Sequence, residues 1–150
     1  MLVLDASVAV KWLVPEENRT EARALLDPDL VLAAPSLIVS EVATGVSRKA
    51  RLKQISHADA TRALAFWLAT FSTGDALVLY ADRDLLADAL SLSLELDHQL
   101  PDCIYLALAR RLDAPLVTAD EKLIRKVGRR DDLRLIRLGE DFSAGSGGRR

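Results

Sequence analysis

Short runs of consecutive apolar residues, each followed closely by an acid or by a helical pattern, constrain this chain more than any other feature. Leu2-Val3-Leu4 stops at Asp5, Leu30 to Ala33 runs up to Pro35-Ser36, and Leu116-Val117-Thr118 stands two residues before Asp120. Runs this short, apolar at every position rather than at alternate ones, suit strands covered on both faces in a parallel sheet. Helical patterns fill the intervals. Ala6 to Val14 stops at Pro15, and Asn18-x-x-Glu21 reads as a capping box opening a helix to about Leu26. Pro35-Ser36 opens a helix to about Ala50, and Ser56-x-x-Asp59 caps one that ends near Gly74. Asp82 to Leu96 is helical, Pro101-Asp102 begins the most apolar helix, to Leu112, and Asp120 to Val127 is a short one. Leu133 to Leu138 is a last strand, while Leu77 to Tyr80 suits either a strand or a helix start. Strands alternating with helices predict a three-layer α/β/α domain around a central parallel sheet.

Composition narrows the class. The 150 residues are half hydrophobic and 28% charged, which excludes a disordered chain. One domain over residues 1–142 is expected, with a disordered Gly/Ser/Arg tail at 143–150. The longest stretch without a charge is the 12 residues Ala63 to Gly74, too short to span a bilayer. The N-terminus lacks the basic, apolar and small-residue segments of a secretory signal, so a cytoplasmic location is expected. A lone Cys103 excludes an internal disulfide and a cysteine-based zinc site. Residues 1–109 carry 15 acids and 9 bases; residues 110–150 carry 7 acids and 11 bases. That basic end, and the cluster Arg48, Lys49, Arg51 and Lys53, suit either a phosphate backbone or a solvated helix face.

The acids carry the functional argument. In open parallel sheets, ligands bind beyond the carboxyl ends of the strands. Asp5 and Asp120 follow strands directly, Glu41 lies early in the helix after the second strand, and Asp102 opens a helix. Four carboxylates converging there would repel one another, and a divalent cation removes the problem. Oxygen donors select Mg²⁺ or Mn²⁺, which can support phosphodiester hydrolysis. Neither glycine-rich phosphate loop, G-x-G-x-x-G or G-x-x-x-x-G-K, occurs. Each acid also has a structural account: Asp5 and Asp120 as helix caps, Asp102 as partner of a helix dipole, Glu41 as an ordinary helix residue.

The same residues resemble a known family. Asp5-Ala-Ser7 with Val-Ala-Val-Lys-Trp-Leu-Val-Pro-Glu-Glu17 is similar to the opening of a PIN domain of the VapC type, the toxin half of bacterial toxin–antitoxin pairs. Pro35 to Val42, Leu100 to Ala109 and Leu116 to Leu123 resemble its later acidic motifs, in order, over about residues 1–140. The resemblance implies a metal-dependent endoribonuclease with Asp5, Glu41, Asp102 and Asp120 as its acidic constellation. Asp5 and Asp102 would touch Mg²⁺ (or Mn²⁺), Glu41 and Asp120 would complete the shell, and Ser7 and Thr118 would orient carboxylates or water. It further implies an RNA substrate, a homodimer and a cognate antitoxin that covers the site.

Smaller expectations concern the remaining side chains. His98 reads as a surface loop histidine, Cys103 as a buried small hydrophobe, and Trp12, Trp67 and Phe66 as core, with the alternative that some of these aromatics line a groove for an antitoxin helix or a dimer face. Other functions fit less well. A haloacid-dehalogenase-like phosphohydrolase wants an acid where Ser7 stands, and a receiver domain wants paired acids where Asp5 stands alone. A catalytically inactive PIN-like RNA- or protein-binding module and a non-toxin PIN RNA-processing nuclease are the remaining alternatives.

Overall fold

The computed structural model describes residues 1–140; the expected tail at 143–150 and the last two residues of the expected domain lie outside them. Five strands form one sheet: β1 (Leu2–Leu4), β2 (Leu32–Pro35), β3 (Val78–Tyr80), β4 (Leu116–Thr118) and β5 (Leu135–Arg137). Their order is β3-β2-β1-β4-β5 and every pairing is parallel. Val3 is in register with Ala33 on one side and Leu116 on the other, so β1 is the central strand. β1, β2 and β4 are buried at every residue, as their unbroken apolar runs require.

The helices are α1 (Ala6–Leu13), α2 (Arg19–Ala24), α3 (Ile38–Arg51), α4 (His57–Thr70), α5 (Leu86–Leu96), α6 (Leu100–Arg111) and α7 (Glu121–Val127). The chain moves outward from β1 to β3, then returns across the sheet to β4 and β5. Parallel crossovers are right-handed, so this reversal puts α1 to α4 on one face and α5 to α7 on the other. The reversal also makes a switch point between β1 and β4, where an open parallel sheet forms its crevice. Three layers result, as predicted. Among the described residues no helix is long and apolar enough to cross a membrane.

Local chemistry explains where the boundaries fall. Ser56 caps α4 as its pattern predicts, its hydroxyl accepting from Asp59 N–H (3.0 Å). Asn18 does not: it takes a left-handed conformation (φ 59°) with no side-chain cap bond, and α2 is correspondingly short. Pro35 closes β2 instead of opening a helix, and α3 begins three residues later. There Asp82, just past β3, accepts from Leu37 N–H (2.9 Å) and satisfies a donor that no local residue caps. Of the run Leu77 to Tyr80, Val78–Tyr80 forms strand β3. Trp12, Trp67 and Phe71 form an aromatic cluster, with Phe71 4.9 Å from Trp12 and 5.2 Å from Trp67 between ring centroids. Phe66 departs from expectation: it is 54% exposed, on the outer face of α4. Gly45 lets α3 approach α1 closely, since a Cβ there would meet Val10 Cγ2 at 2.6 Å.

Candidate active site

β1 delivers Asp5 and β4 delivers Thr118 to adjacent positions at the carboxyl edge of the sheet. The Thr118 hydroxyl donates to Asp5 Oδ2 (2.6 Å) and accepts from Asp120 N–H (3.0 Å). The Ser7 hydroxyl donates to the same Oδ2 (2.7 Å) and accepts from Ala119 N–H (3.0 Å). Both hydroxyls thus have their protons committed to Asp5, which is only 8% exposed. Asp5 sits at the N-cap position of α1, yet its side chain makes no cap bond. The capping account therefore fails for Asp5. It holds for Asp120, whose Oδ1 accepts from Lys122 N–H (2.8 Å) and Leu123 N–H (3.1 Å).

The other two acids come from helices. Glu41 lies in the first turn of α3, and its Oε2 accepts from the buried Tyr105 hydroxyl of α6 (2.6 Å). Asp102 lies in the first turn of α6. Its Oδ2 accepts from the Gln99 side-chain amide (2.7 Å) and lies 2.7 Å from His98 Nε2. His98 is therefore a partner of Asp102, not a free loop residue; the four-residue spacing was its only signal. Tyr105 and Asp82 were likewise missed as partners. Tyr105 reads as one more apolar residue of α6, and Asp82 follows a strand whose assignment was open.

One arrangement recurs in all four acids. Each carboxylate has one oxygen fastened by protein donors, Oδ2 of Asp5 and Asp102, Oε2 of Glu41 and Oδ1 of Asp120. The second oxygen of each has no hydrogen-bond partner among the described residues and is not sealed from solvent. The electrostatics agree with their placement at one edge. Burial pushes the Asp5 carboxyl above the usual range against the pull of the Thr118 and Ser7 hydroxyls, and Asp102 and Asp120 repel its charge. Burial also raises Glu41, opposed by the Tyr105 hydroxyl and assisted by repulsion from Asp5, Asp102 and Asp82. Among the described residues no Lys or Arg forms an ion pair with any of the four.

A hard divalent cation fits this donor set: oxygen ligands, excess negative charge, and donors that aim the fastened oxygens. Among the described residues no three His, Cys, Asp or Glu side chains stand close enough together to enclose an ion as they lie. Each helix-borne acid is held by its own partners, Glu41 by Tyr105 and Asp102 by Gln99 with His98 alongside.

A three-layer parallel domain with carboxylates at its switch point, and no glycine-rich phosphate loop, is the class that fold and site define. Comparison with known proteins gives the family. A PIN domain profile matches residues 2–129. The VapC ribonuclease of Mycobacterium bovis is 33% identical over 123 residues, 82% of this chain and 88% of the relative. The chain belongs to the PIN-domain family. Two solved structures share the fold at 16% identity. VapC20 of Mycobacterium tuberculosis, described as a sarcin-ricin loop cleaving toxin, has a TM-score of 0.62 over 83% of this chain and 94% of that one. A toxin–antitoxin complex from Klebsiella pneumoniae has a TM-score of 0.58 over 89% and 95%.

Proposed function

We infer that the protein is an endoribonuclease of the VapC type, hydrolysing RNA phosphodiester bonds at Asp5, Glu41, Asp102 and Asp120 with Mg²⁺ or Mn²⁺. The observation that carries this reading is the shared arrangement of the four carboxylates, one oxygen fastened and one open. When bound, a divalent ion supplies a Lewis acid and lowers the pKa of water. Asp5 and Asp102 are the residues for direct contact with it. Glu41 and Asp120 complete the shell and orient the attacking water. Ser7 and Thr118 hold Asp5 in place through its Oδ2, and Tyr105 restrains Glu41 through its Oε2.

The family resemblance supplies the cell context of this reading: a cytoplasmic toxin, held by a small antitoxin and acting as a homodimer. Two surfaces support these partners. A groove of about 970 Å³ is lined by Leu13, Pro15, Ile55 and Phe66 together with Arg19, Lys53 and Asp59, which suits an antitoxin segment with apolar anchors. On α5, Leu86, Leu90 and Leu94 share one face and are 43%, 52% and 75% exposed, which suits a second copy of the chain. Sedimentation tests the dimer: Leu90→Asp is expected to yield a folded monomer, and a wild-type monomer sinks this part of the reading.

The activity is tested by incubating purified protein with labelled total RNA and Mg²⁺ or Mn²⁺, beside EDTA and Asp102→Asn controls. Discrete cuts that need metal and vanish in the variant are expected. Cutting by Asp102→Asn as fast as wild type overturns the site assignment. Metal binding without any cutting favours an inactive RNA-binding module.

A further inference from the structure

Two helices of the site continue into a groove of opposite charge. On α1, Ser7 and Lys11 are four residues apart and share a face, with Lys11 about 6 Å further along. On α3, Glu41, Gly45, Arg48 and Lys49 fall on one face by the same spacing. The helices meet at Gly45 and Val10, and the groove between them has a volume of about 420 Å³. Ser7 and Ala119, beside the acids, line one end of it, and Lys11, Arg48 and Lys49 line the other.

The cations there are arranged about a point. Lys11 Nζ lies 3.1 Å from Glu16 Oε2 and Lys49 Nζ lies 2.6 Å from Glu16 Oε1, so one carboxylate bridges ammonium groups from two helices. All three side chains are largely covered, at 11% (Lys11), 23% (Lys49) and 20% (Glu16) exposure. Arg48, exposed on the same groove, forms no ion pair among the described residues. The local charge stays positive after Glu16 is counted. Two lysines serving only their own helix C-termini would not need to converge on a single bidentate anion. A phosphodiester is such an anion, and the groove leads from it to the acids.

We propose that Lys11, Arg48 and Lys49 form a phosphate subsite for the RNA strand flanking the cleaved bond, with Glu16 holding the two lysines until a backbone phosphate displaces it. The subsite rests on the ribonuclease reading and deepens it. Glu16 is then a competitor of RNA as well as a strut. That dual role gives a signature which a purely structural ion pair cannot produce.

The test uses full-length Asp102→Asn protein, which leaves RNA uncut, with Mg²⁺ and a labelled mixed-sequence single-stranded RNA. Affinity is measured across a salt series. Arg48→Gln and Lys49→Gln are each expected to weaken binding about fivefold at 0.1 M salt and to flatten the log–log salt slope by about 0.7. Glu16→Gln is expected to tighten binding, with its fold checked by circular dichroism. Lysine and arginine variants that bind like the parent overturn the subsite, as does Glu16→Gln weakening binding as much as Lys49→Gln. An Asp102→Asn parent that fails to bind RNA while wild type cuts it overturns it as well. Wild-type protein that neither binds nor cuts RNA sinks the ribonuclease reading itself, whereas unchanged variants beside an active wild type sink the subsite alone.

Discussion

The candidate site has two halves that are built differently. Asp5, Thr118 and Asp120 stand on or just after two neighbouring strands, Ser7 stands in the first turn of α1, and short side chains tie the four within one closed network. Glu41 and Asp102 stand on helices, and longer side chains from α6 and the loop before it hold them: Tyr105 for one, His98 and Gln99 for the other. The strand half is fixed by backbone pairing, which leaves few torsions to adjust. The helix half depends on rotamers, so under the proposed function it is the half expected to adjust to an ion. A rigid anchor beside an adjustable jaw lets the fold carry a repulsive cluster while the fixed half keeps its geometry.

Removing either half's principal acid should produce the largest effect. Asp5→Asn and Asp102→Asn are each expected to lower Mg²⁺-dependent cleavage by at least about a thousandfold while circular dichroism stays native. Equal losses mean that both halves are required. A residual rate in only one variant would show which half carries the chemistry.

Substitution of the supporting hydroxyls should separate the halves. Thr118→Val removes a donor from Asp5 and an acceptor from Asp120 N–H in one step, and cleavage should fall about 10- to 100-fold. Tyr105→Phe removes a single donor from a half-buried Glu41, and a loss of about tenfold or less is expected. Single-turnover rates at saturating Mg²⁺ make the comparison. If Tyr105→Phe costs more than Thr118→Val, the helix half is the rigid one and the roles of anchor and jaw are exchanged.

The same division governs what could be read from the sequence. Strand-borne acids were legible because a short apolar run fixes both the strand and the residue that leaves it: Asp5 after Leu4, Asp120 after Thr118. Glu41 and Asp102 were legible by their places in first turns, but their partners were not. Tyr105 lies inside the unbroken apolar stretch of α6, and nothing local shows that its hydroxyl meets a residue 64 positions away. Asp82 was hidden because the run Leu77 to Tyr80, at the edge of the sheet and only partly covered, suited a helix start as well as a strand. Phe66 reads as core because an aromatic in an apolar helix is usually buried, whereas Trp67 beside it takes the inward position. Glu16 and Lys49 meet only through tertiary packing of α1 on α3. Local pattern thus indicated most elements and the candidate acids, and the partners that hold those acids emerged only from packing.

The smallest expected effect tests the anchor by its stability. Asp5 has a folded-state pKa above the ordinary 3.8, with burial as the leading cause. Below that value both folded and unfolded chains hold the proton and the group contributes nothing. As pH rises past it, the unfolded chain ionises first, and the folded state falls behind until pH passes the raised value. Once pH has passed the raised value the whole penalty remains, about 1.4 kcal/mol for each tenfold loss of acidity on folding. Glu41 adds a penalty of the same sign, beginning near 4.5. Acids held low by cations, such as Asp132 beside Arg130, act in the opposite direction, so the informative quantity is a difference between two proteins. In EDTA, Asp5→Asn is expected to melt higher than wild type at pH 7, by an amount that shrinks toward zero as pH falls to about 4. Saturating Mg²⁺ should reverse the order, because an ion stabilises the ionised Asp5 and has little hold on the amide. A melting difference that is flat across this pH range would mean that Asp5 is not strained in the metal-free fold. The strand half would then be an ordinary hydrogen-bonded cluster with no unmet demand for a cation.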